Sequence, residues 1–221
     1  MAKLKWDEVG SRIIYRGVDR GVLYPQAKGE YPKGVAWNGL TGVTKSPSGA
    51  EPTPLYANNS KYRTLMSVEE LGGTIEAYTY PDEFAACDGS AQITPGVNVG
   101  QQKRTTFGLC YRTFIDNDVD GIDHGYELNL IYGALASPSE RASTTINDSP
   151  EADPMSWEFT TTPVAIAGFE PTACITIDST KADTTKLEAL EKILYGSDDP
   201  EAGEPRLPLP DEIATLMKAE G

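Results

Sequence analysis

Two neighbouring stretches of alternating apolar residues constrain the fold of this chain most. One face of residues 106–115 carries Phe107, Leu109, Tyr111, Thr113 and Ile115. One face of residues 126–134 carries Tyr126, Leu128, Leu130, Tyr132 and Ala134. A period of two, rich in aromatic and aliphatic side chains, is typical of a strand with one buried face. We therefore expect a mainly β protein in which these segments are adjacent antiparallel strands.

The segment between these two strands raises the question of calcium. Residues 116–127, DNDVDGIDHGYE, match every specified position of a calcium-loop pattern, in which acidic oxygens bind the ion and a glycine allows a sharp turn. An EF-hand places this loop between two amphipathic helices, whereas both flanks here have strand periodicity. The segment is interpreted as an inter-strand turn. The candidate calcium ligands that remain are Asp116, Asp118, Asp120 and Glu127.

Further strands and one helix follow from the same periodicity. Residues 61–68, 72–80, 156–166 and 173–178 have strand character. A helix is predicted over about 184–195, with Thr185 and Glu188 as a capping box, one leucine stripe and Gly196 as its end. These elements predict a two-sheet antiparallel β-sandwich of about eight strands with one flanking α-helix. A short helix is also predicted near the C-terminus.

Three segments lack such a pattern and divide the chain. Residues 1–33 are predicted to form an N-terminal arm and a first strand, ahead of a sandwich domain at 34–196. Residues 197–221 are predicted to form a C-terminal linker and arm. Within the domain, residues 45–60 contain three prolines and are predicted to be a long exposed loop for interactions, because loops of this length are usually functional. Its candidate contact residues are Lys45, Ser46, Pro47, Glu51, Pro52, Pro54 and Tyr56.

The charge of the chain excludes a phosphate-binding surface. With 19 basic and 33 acidic residues its net charge is −14, whereas nucleic-acid binding needs clustered Lys and Arg. The three cysteines are far apart and form no paired motif, so we expect a reducing compartment. The sequence shows no apolar run long enough for a membrane span, and we expect a product of the cytoplasm.

Catalytic patterns are missing from the sequence. His124 is the only histidine, which leaves no zinc cluster and no triad with a nucleophile elbow. Phosphate-binding glycine motifs are also missing. We expect no enzyme activity, no catalytic residues and no cofactor. Trp6, Trp37 and Trp157 could serve as sugar-stacking platforms, but the two on strand patterns, Trp37 and Trp157, are interpreted as packing residues.

Several segments together resemble a known family. YPDEFAACDG, YGALASPSE, TINDSPEA and SWEFTTTPV occur in order, and the similarity runs from about Trp6 to the LPLPDEI segment. The chain resembles the major tail proteins, or tail tube proteins, of long flexible-tailed bacteriophages (siphophages) of Gram-positive hosts. The resemblance implies a β-sandwich that forms hexameric rings. These rings stack helically into a tube lined by a continuous β-barrel, through which DNA reaches the host.

The resemblance also implies partners and surfaces. Rings would stack through the 45–60 loop and the terminal arms, and the chain would contact itself and the tape measure, distal tail and terminator proteins. DNA would pass without specific binding, no membrane would be involved, and the protein would occupy the virion tail after assembly in the host cytoplasm. Glu76, Glu127 and Glu158 lie opposite apolar strand faces, as does Asn129, and are the candidate lumen-facing acids. The alternative function is a calcium-stabilised β-sandwich carbohydrate-binding module.

Overall fold

The computed structural model of the protein describes residues 3–145, 148, 152–199 and 203–218. Within them it defines a mainly β, antiparallel fold, as the sequence predicts. The strands are β1 Ile13–Pro25, β2 Val35–Ala36, β3 Leu40–Gly49, β4 Pro52–Ala57, β5 Ser60–Met66, β6 Glu69–Ala77, β7 Ala91–Thr94, β8 Val97–Val99, β9 Phe107–Asn117, β10 Gly121–Ala136, β11 Met155–Thr161 and β12 Cys174–Asp178. The helices are a 3-10 turn at Asp82–Phe84, α1 Ala85–Asp88, α2 Thr184–Tyr195 and α3 Pro210–Met217.

One eight-stranded sheet folds over into two layers. Its order is β2-β1-β9-β10-β11-β6-β3, and β12 also pairs with β10. The change of layer occurs in β10, which stays paired with β9 on one edge while its partner on the other edge changes from Cys174 of β12, at Ile131, to Thr161 of β11, at Ala134. Gly133 has φ +59° at this point, and a Cβ there would lie 2.3 Å from the Thr162 carbonyl oxygen. The bend therefore requires glycine.

Two cores hold the layers together. We call β1, β9, β10 and β12 the helix-side layer, and β3, β6 and β11 the open layer. The first core lies between the two layers and includes Leu109 and Ile131 from one and Ile75 and Trp157 from the other. The second core lies between the helix-side layer and the helices, where Leu130 packs with the α2 leucines. The predicted sandwich with a flanking helix is confirmed.

Helix α2 occupies the predicted residues but begins differently. Leu187, Leu190 and Leu194 are buried on one stripe, as predicted. The predicted capping box of Thr185 and Glu188 is wrong. Asp183 is the N-cap, and its side chain accepts a hydrogen bond of 3.0 Å from the Lys186 backbone N–H. Because α2 starts one residue before Thr185, that residue is inside the helix and cannot cap it.

A larger part of both terminal segments packs into the domain than the sequence predicts. Strand β1 lies inside the sheet, where Leu23 enters the first core and Tyr24 the second. The first strand predicted within residues 1–33 is therefore a core strand, and in the described part of the chain residues 3–12 lie ahead of it. At the other end, Leu207 and Ile213 are buried in the second core. Residues 203–218 thus pack on the sandwich, because α3 has one apolar face that the core covers.

The predicted loop at 45–60 is wrong in its local structure. Strand β3 pairs with β6 out to Gly49 and Glu69, and β4 pairs with β5 from Pro52 to Ala57. The end of β3, all of β4 and β5, and the start of β6 follow one another in a long β-hairpin over residues 47–71, here called the ribbon. Asn58 and Asn59 have φ of 49° and 60° at its end, as a type I′ hairpin turn requires. The prolines are tolerated because both ribbon edges face solvent.

Candidate functional site

The acidic segment is a tight inter-strand turn. Strand β9 ends at Asn117 and β10 begins at Gly121, so only three residues form the connection. The Asn117 side-chain oxygen accepts hydrogen bonds from the backbone N–H groups of Val119 at 3.1 Å and Asp120 at 2.6 Å. This is the local bond pattern by which asparagine stabilises a turn. The prediction of strands on both sides and a turn between them is confirmed.

Two of the turn's acids hold the N-terminal segment. The Asp118 carboxylate accepts a hydrogen bond of 2.9 Å from the Gly10 backbone N–H and lies 3.5 Å from the Arg12 guanidinium. Asp116 is buried and forms an ion pair with Arg16. These arginines neutralise the acids that the sequence pattern offers to a cation. Residues 10–16 are thereby fixed to the end of the β9–β10 hairpin.

The remaining candidate calcium ligands lie apart. Asp120 contacts the Asn117 amide and the His124 ring at 3.3 and 3.4 Å. Glu127 lies within β10, opposite Thr113 on one side and Asp178 on the other. Within the residues that the structure describes, no group of three or more His, Cys, Asp or Glu side chains is placed to hold a metal ion. The four candidate ligands do not form one site.

The open layer presents a sheet face of acids, hydroxyls and glycines. Glu76 pairs with Ser156 and Gly42, and Glu158 pairs with Thr74, so these side chains share the face opposite the first core. This surface, called the acid–hydroxyl face, comprises Gly42, Thr44, Ser46 and Ser48 of β3, Glu70, Gly72, Thr74 and Glu76 of β6, and Ser156, Glu158 and Thr160 of β11. Glu76 and Glu158 are exposed. No position of this face carries Lys or Arg.

Asn129 and Glu127 lie elsewhere. Asn129 was expected to face solvent, the lumen or a neighbour, but it is 1% exposed and receives a 2.6 Å hydrogen bond from Lys45. Lys45 reaches it from β3 of the open layer, which covers that stretch of β10. Glu127 is half-buried on the helix-side layer. Only Glu76 and Glu158 of the three predicted acids therefore share one exposed face.

The ribbon has an apolar and basic face. Directly paired residues of an antiparallel hairpin point to the same side. Leu55 pairs with Arg63 and Thr53 with Leu65, so these four side chains share one face, whereas Tyr56 and its partner Lys61 lie on the other face, past a bulge. Leu55 and Leu65 remain 42% and 45% exposed. This basic ribbon face was not found from the sequence, although the Asn58–Asn59 pair between two apolar stretches is a hairpin signal.

An ion pair joins β1 to β9 beside α2. Arg112 donates two hydrogen bonds to Asp19, at 3.0 and 2.6 Å, and stacks over the Tyr126 ring at 4.6 Å. The Tyr126 hydroxyl donates to Glu191 at 2.7 Å. Burial and the Glu191 charge raise the pKa of Tyr126 to about 12. The network is satisfied internally and fixes α2 on the sheet.

Other sequence candidates have structural roles. Trp37 and Trp157 are buried and stack with their ring centroids 5.9 Å apart, which confirms their packing role. Trp6, which lies outside the strand patterns, is 74% exposed. His124 has hydrogen bonds to Asn117 and Asp120. No described helix has the length and apolar character needed to cross a membrane.

Comparison with known proteins gives limited information. No family model matches the sequence, and no curated protein matches it. Among solved structures, the chain is similar to a chain in the six-fold symmetrised cryo-EM structure of the anti-feeding prophage baseplate, with 10% sequence identity. The match covers 80% of this chain and 99% of that chain at a TM-score of 0.37. Similarity at this level does not establish a common function.

Proposed function

We propose that the protein is a structural subunit of a siphophage tail tube, which assembles into hexameric rings that stack into a hollow tube for DNA. The observation that carries the proposal is the acid–hydroxyl face. It covers one whole side of the open layer, carries Glu70, Glu76 and Glu158, and has no basic side chain. The sequence resemblance independently implies a lumen wall built from sheets.

The chemistry of this face suits a channel for DNA. Acidic groups repel phosphates, and short hydroxyl side chains add no cation that could hold them. Six copies at −14 each give −84 per ring. Lys and Arg in the same positions would bind the duplex and release counterions, which would retard its passage. DNA can therefore slide past the wall without being bound.

The layer order of the sandwich agrees with an orientation in which the acid–hydroxyl face points toward the lumen. The helices α2 and α3 pack on the helix-side layer, which lies between them and the open layer. With the acid–hydroxyl face toward the lumen, the helices lie on the outside of the tube. This arrangement leaves β3 as a sheet edge, since it pairs only with β6. A neighbouring subunit in a ring would satisfy its free backbone groups.

The ribbon supports stacking between rings. An isolated two-stranded hairpin is marginal in water and gains stability when another surface covers it. The candidate contact residues predicted from the sequence are Lys45 and Ser46 at the root of the ribbon and Pro47, Glu51, Pro52, Pro54 and Tyr56 within it, and all of them are exposed. A contact between the ribbon and a different surface of the next subunit would not close on itself, which is how filaments form.

We propose a structural and not a catalytic role, with other tail proteins as partners at the tube ends. The carbohydrate-binding alternative gains no support, because the acids of its calcium loop have protein partners or lie apart. Negative-stain electron microscopy of the purified protein tests the function. We expect rings or hollow tubes. Persistent monomers at high concentration, even with tail initiator proteins added, would refute the proposal.

A further inference from the structure

A second exposed apolar surface lies at the end of the β9–β10 hairpin. Val119 and Ile122 project from the turn and the start of β10, and Val9 and Ile14 come from the N-terminal segment that Asp118 and Asp116 hold there. Gly10 and Val119 are adjacent, since a Cβ on Gly10 would lie 3.9 Å from Val119 Cγ2. We call this the hairpin-end surface; its exposed apolar residues are Val9, Ile14, Val119 and Ile122.

Exposed apolar surface on this scale marks an interaction site. Among the described residues, the ribbon and the hairpin-end surface expose apolar side chains on different elements. If ribbons paired with ribbons, the contact would be isologous, would close after two copies and would leave the hairpin-end surface in water. A contact between the ribbon of one copy and the hairpin-end surface of another covers both and repeats without closing.

The charges of the two surfaces are complementary. Arg63 lies on the basic ribbon face with Leu55 and Leu65, and within the described residues its side chain forms no ion pair or hydrogen bond. On the hairpin-end surface Arg12 and Arg16 are already paired, and Asp120 contacts Asn117 and His124, so Asp123 is the acid of the turn segment that stays available. Asp123 is exposed, and its side chain has no partner in the described part of the chain.

We propose that the hairpin-end surface is the acceptor for the ribbon of a second copy of this chain, with Arg63 facing Asp123. The inference rests on the proposed tube function and identifies the partner of its ribbon. Leu55 and Leu65 of the ribbon contact the apolar residues Val119 and Ile122 of the acceptor. The acids of the calcium-like segment then have two roles, since Asp116 and Asp118 build the acceptor and Asp123 selects the ribbon.

Charge exchange tests this pairing directly. Three variants are compared with wild type by sedimentation and negative-stain microscopy: Arg63→Asp, Asp123→Arg, and both changes in one chain. Each single change places like charges together and is expected to lower the assembled fraction at least about tenfold. The double change restores opposite charges, and we expect assembly to recover. Ile122→Ser, which removes an apolar contact without changing charge, is also expected to weaken assembly.

The controls separate this inference from the proposed function. Glu170→Lys with Glu188→Lys changes two exposed acids outside both surfaces and is expected to assemble like wild type. Circular dichroism checks that each variant is folded. If wild type assembles while the single changes have no effect, or the double change gives no recovery, the acceptor assignment is wrong and the tube function stands. If folded wild type never assembles, both are wrong.

Discussion

Lys45 and Asn129 are 84 residues apart in sequence, yet the Lys45 ammonium donates a 2.6 Å hydrogen bond to the Asn129 side-chain oxygen. Lys45 lies in β3 close to the start of the ribbon, and Asn129 is a buried position of β10. The bond therefore links the root of the ribbon to the opposite layer of the sandwich. It also satisfies a polar atom that would otherwise be buried without a partner.

Removing this link should weaken the fold. Lys45→Met leaves the Asn129 oxygen unsatisfied and is expected to lower the free energy of unfolding by about 1 to 2 kcal/mol, measured by urea denaturation. Lys61→Met is the matched control on the same ribbon, because Lys61 is exposed and has no such bond. Its change should stay within about 0.5 kcal/mol. Equal losses in both variants would contradict a specific role for the Lys45 bond.

Asp118 should control the mobility of the N-terminal segment. Asp118→Ala removes the acceptor of the Gly10 N–H and the charge beside Arg12. We expect faster tryptic cleavage after Arg12, because the segment would unfold locally more often and bind in the protease active site. Asp123→Ala is the control, because it removes a nearby negative charge that forms no bond with the N-terminal segment. Unchanged cleavage in the Asp118 variant would show that other contacts hold the segment.

Reversing the charge of the acid–hydroxyl face should give the tube wall an affinity for DNA. Tubes of a Glu76→Lys and Glu158→Lys variant are expected to retain duplex DNA in a filter or co-sedimentation assay, with binding that falls steeply as salt rises. Tubes of the Glu170→Lys and Glu188→Lys variant are the control, because they have the same net charge as the Glu76→Lys and Glu158→Lys tubes. If those tubes retain DNA equally, net charge and not the lumen face governs binding.

The three cysteines should differ in reactivity. Burial raises the pKa of the Cys87 thiol to about 12 and that of Cys110 to about 12. Little thiolate forms at neutral pH at such pKa values, and both side chains are buried. A soluble alkylating reagent is therefore expected to modify half-buried Cys174 first, as read by peptide mass spectrometry. Rapid labelling of Cys110 in the native protein would contradict the packing around it.

Local periodicity was sufficient for several elements of the fold. Leu187, Leu190 and Leu194 with Gly196 define α2, because an amphipathic helix with a glycine stop has a sequence signature. The two strands beside the acidic turn were equally clear. In both cases one face is buried in a core, so the spacing of the apolar residues predicts which face packs there.

The first half of the ribbon escaped prediction, although the strand predicted at 61–68 includes most of β5. Strand β4 is exposed along its whole length, so its sequence shows no alternation between a buried and an exposed face. Asn129 escaped because its burial depends on Lys45, a tertiary contact that local pattern cannot reveal. The arginine partners of Asp116 and Asp118 are likewise distant in sequence, which is why a calcium-loop pattern arose without a calcium site.

Cryo-electron microscopy of tubes assembled from the purified chain tests the central claim most directly. A helical reconstruction is expected to show stacked six-membered rings with Glu76 and Glu158 facing the lumen and α2 on the outer surface. A closed oligomer without a lumen, or a tube in which the acid–hydroxyl face points outward, would contradict the account.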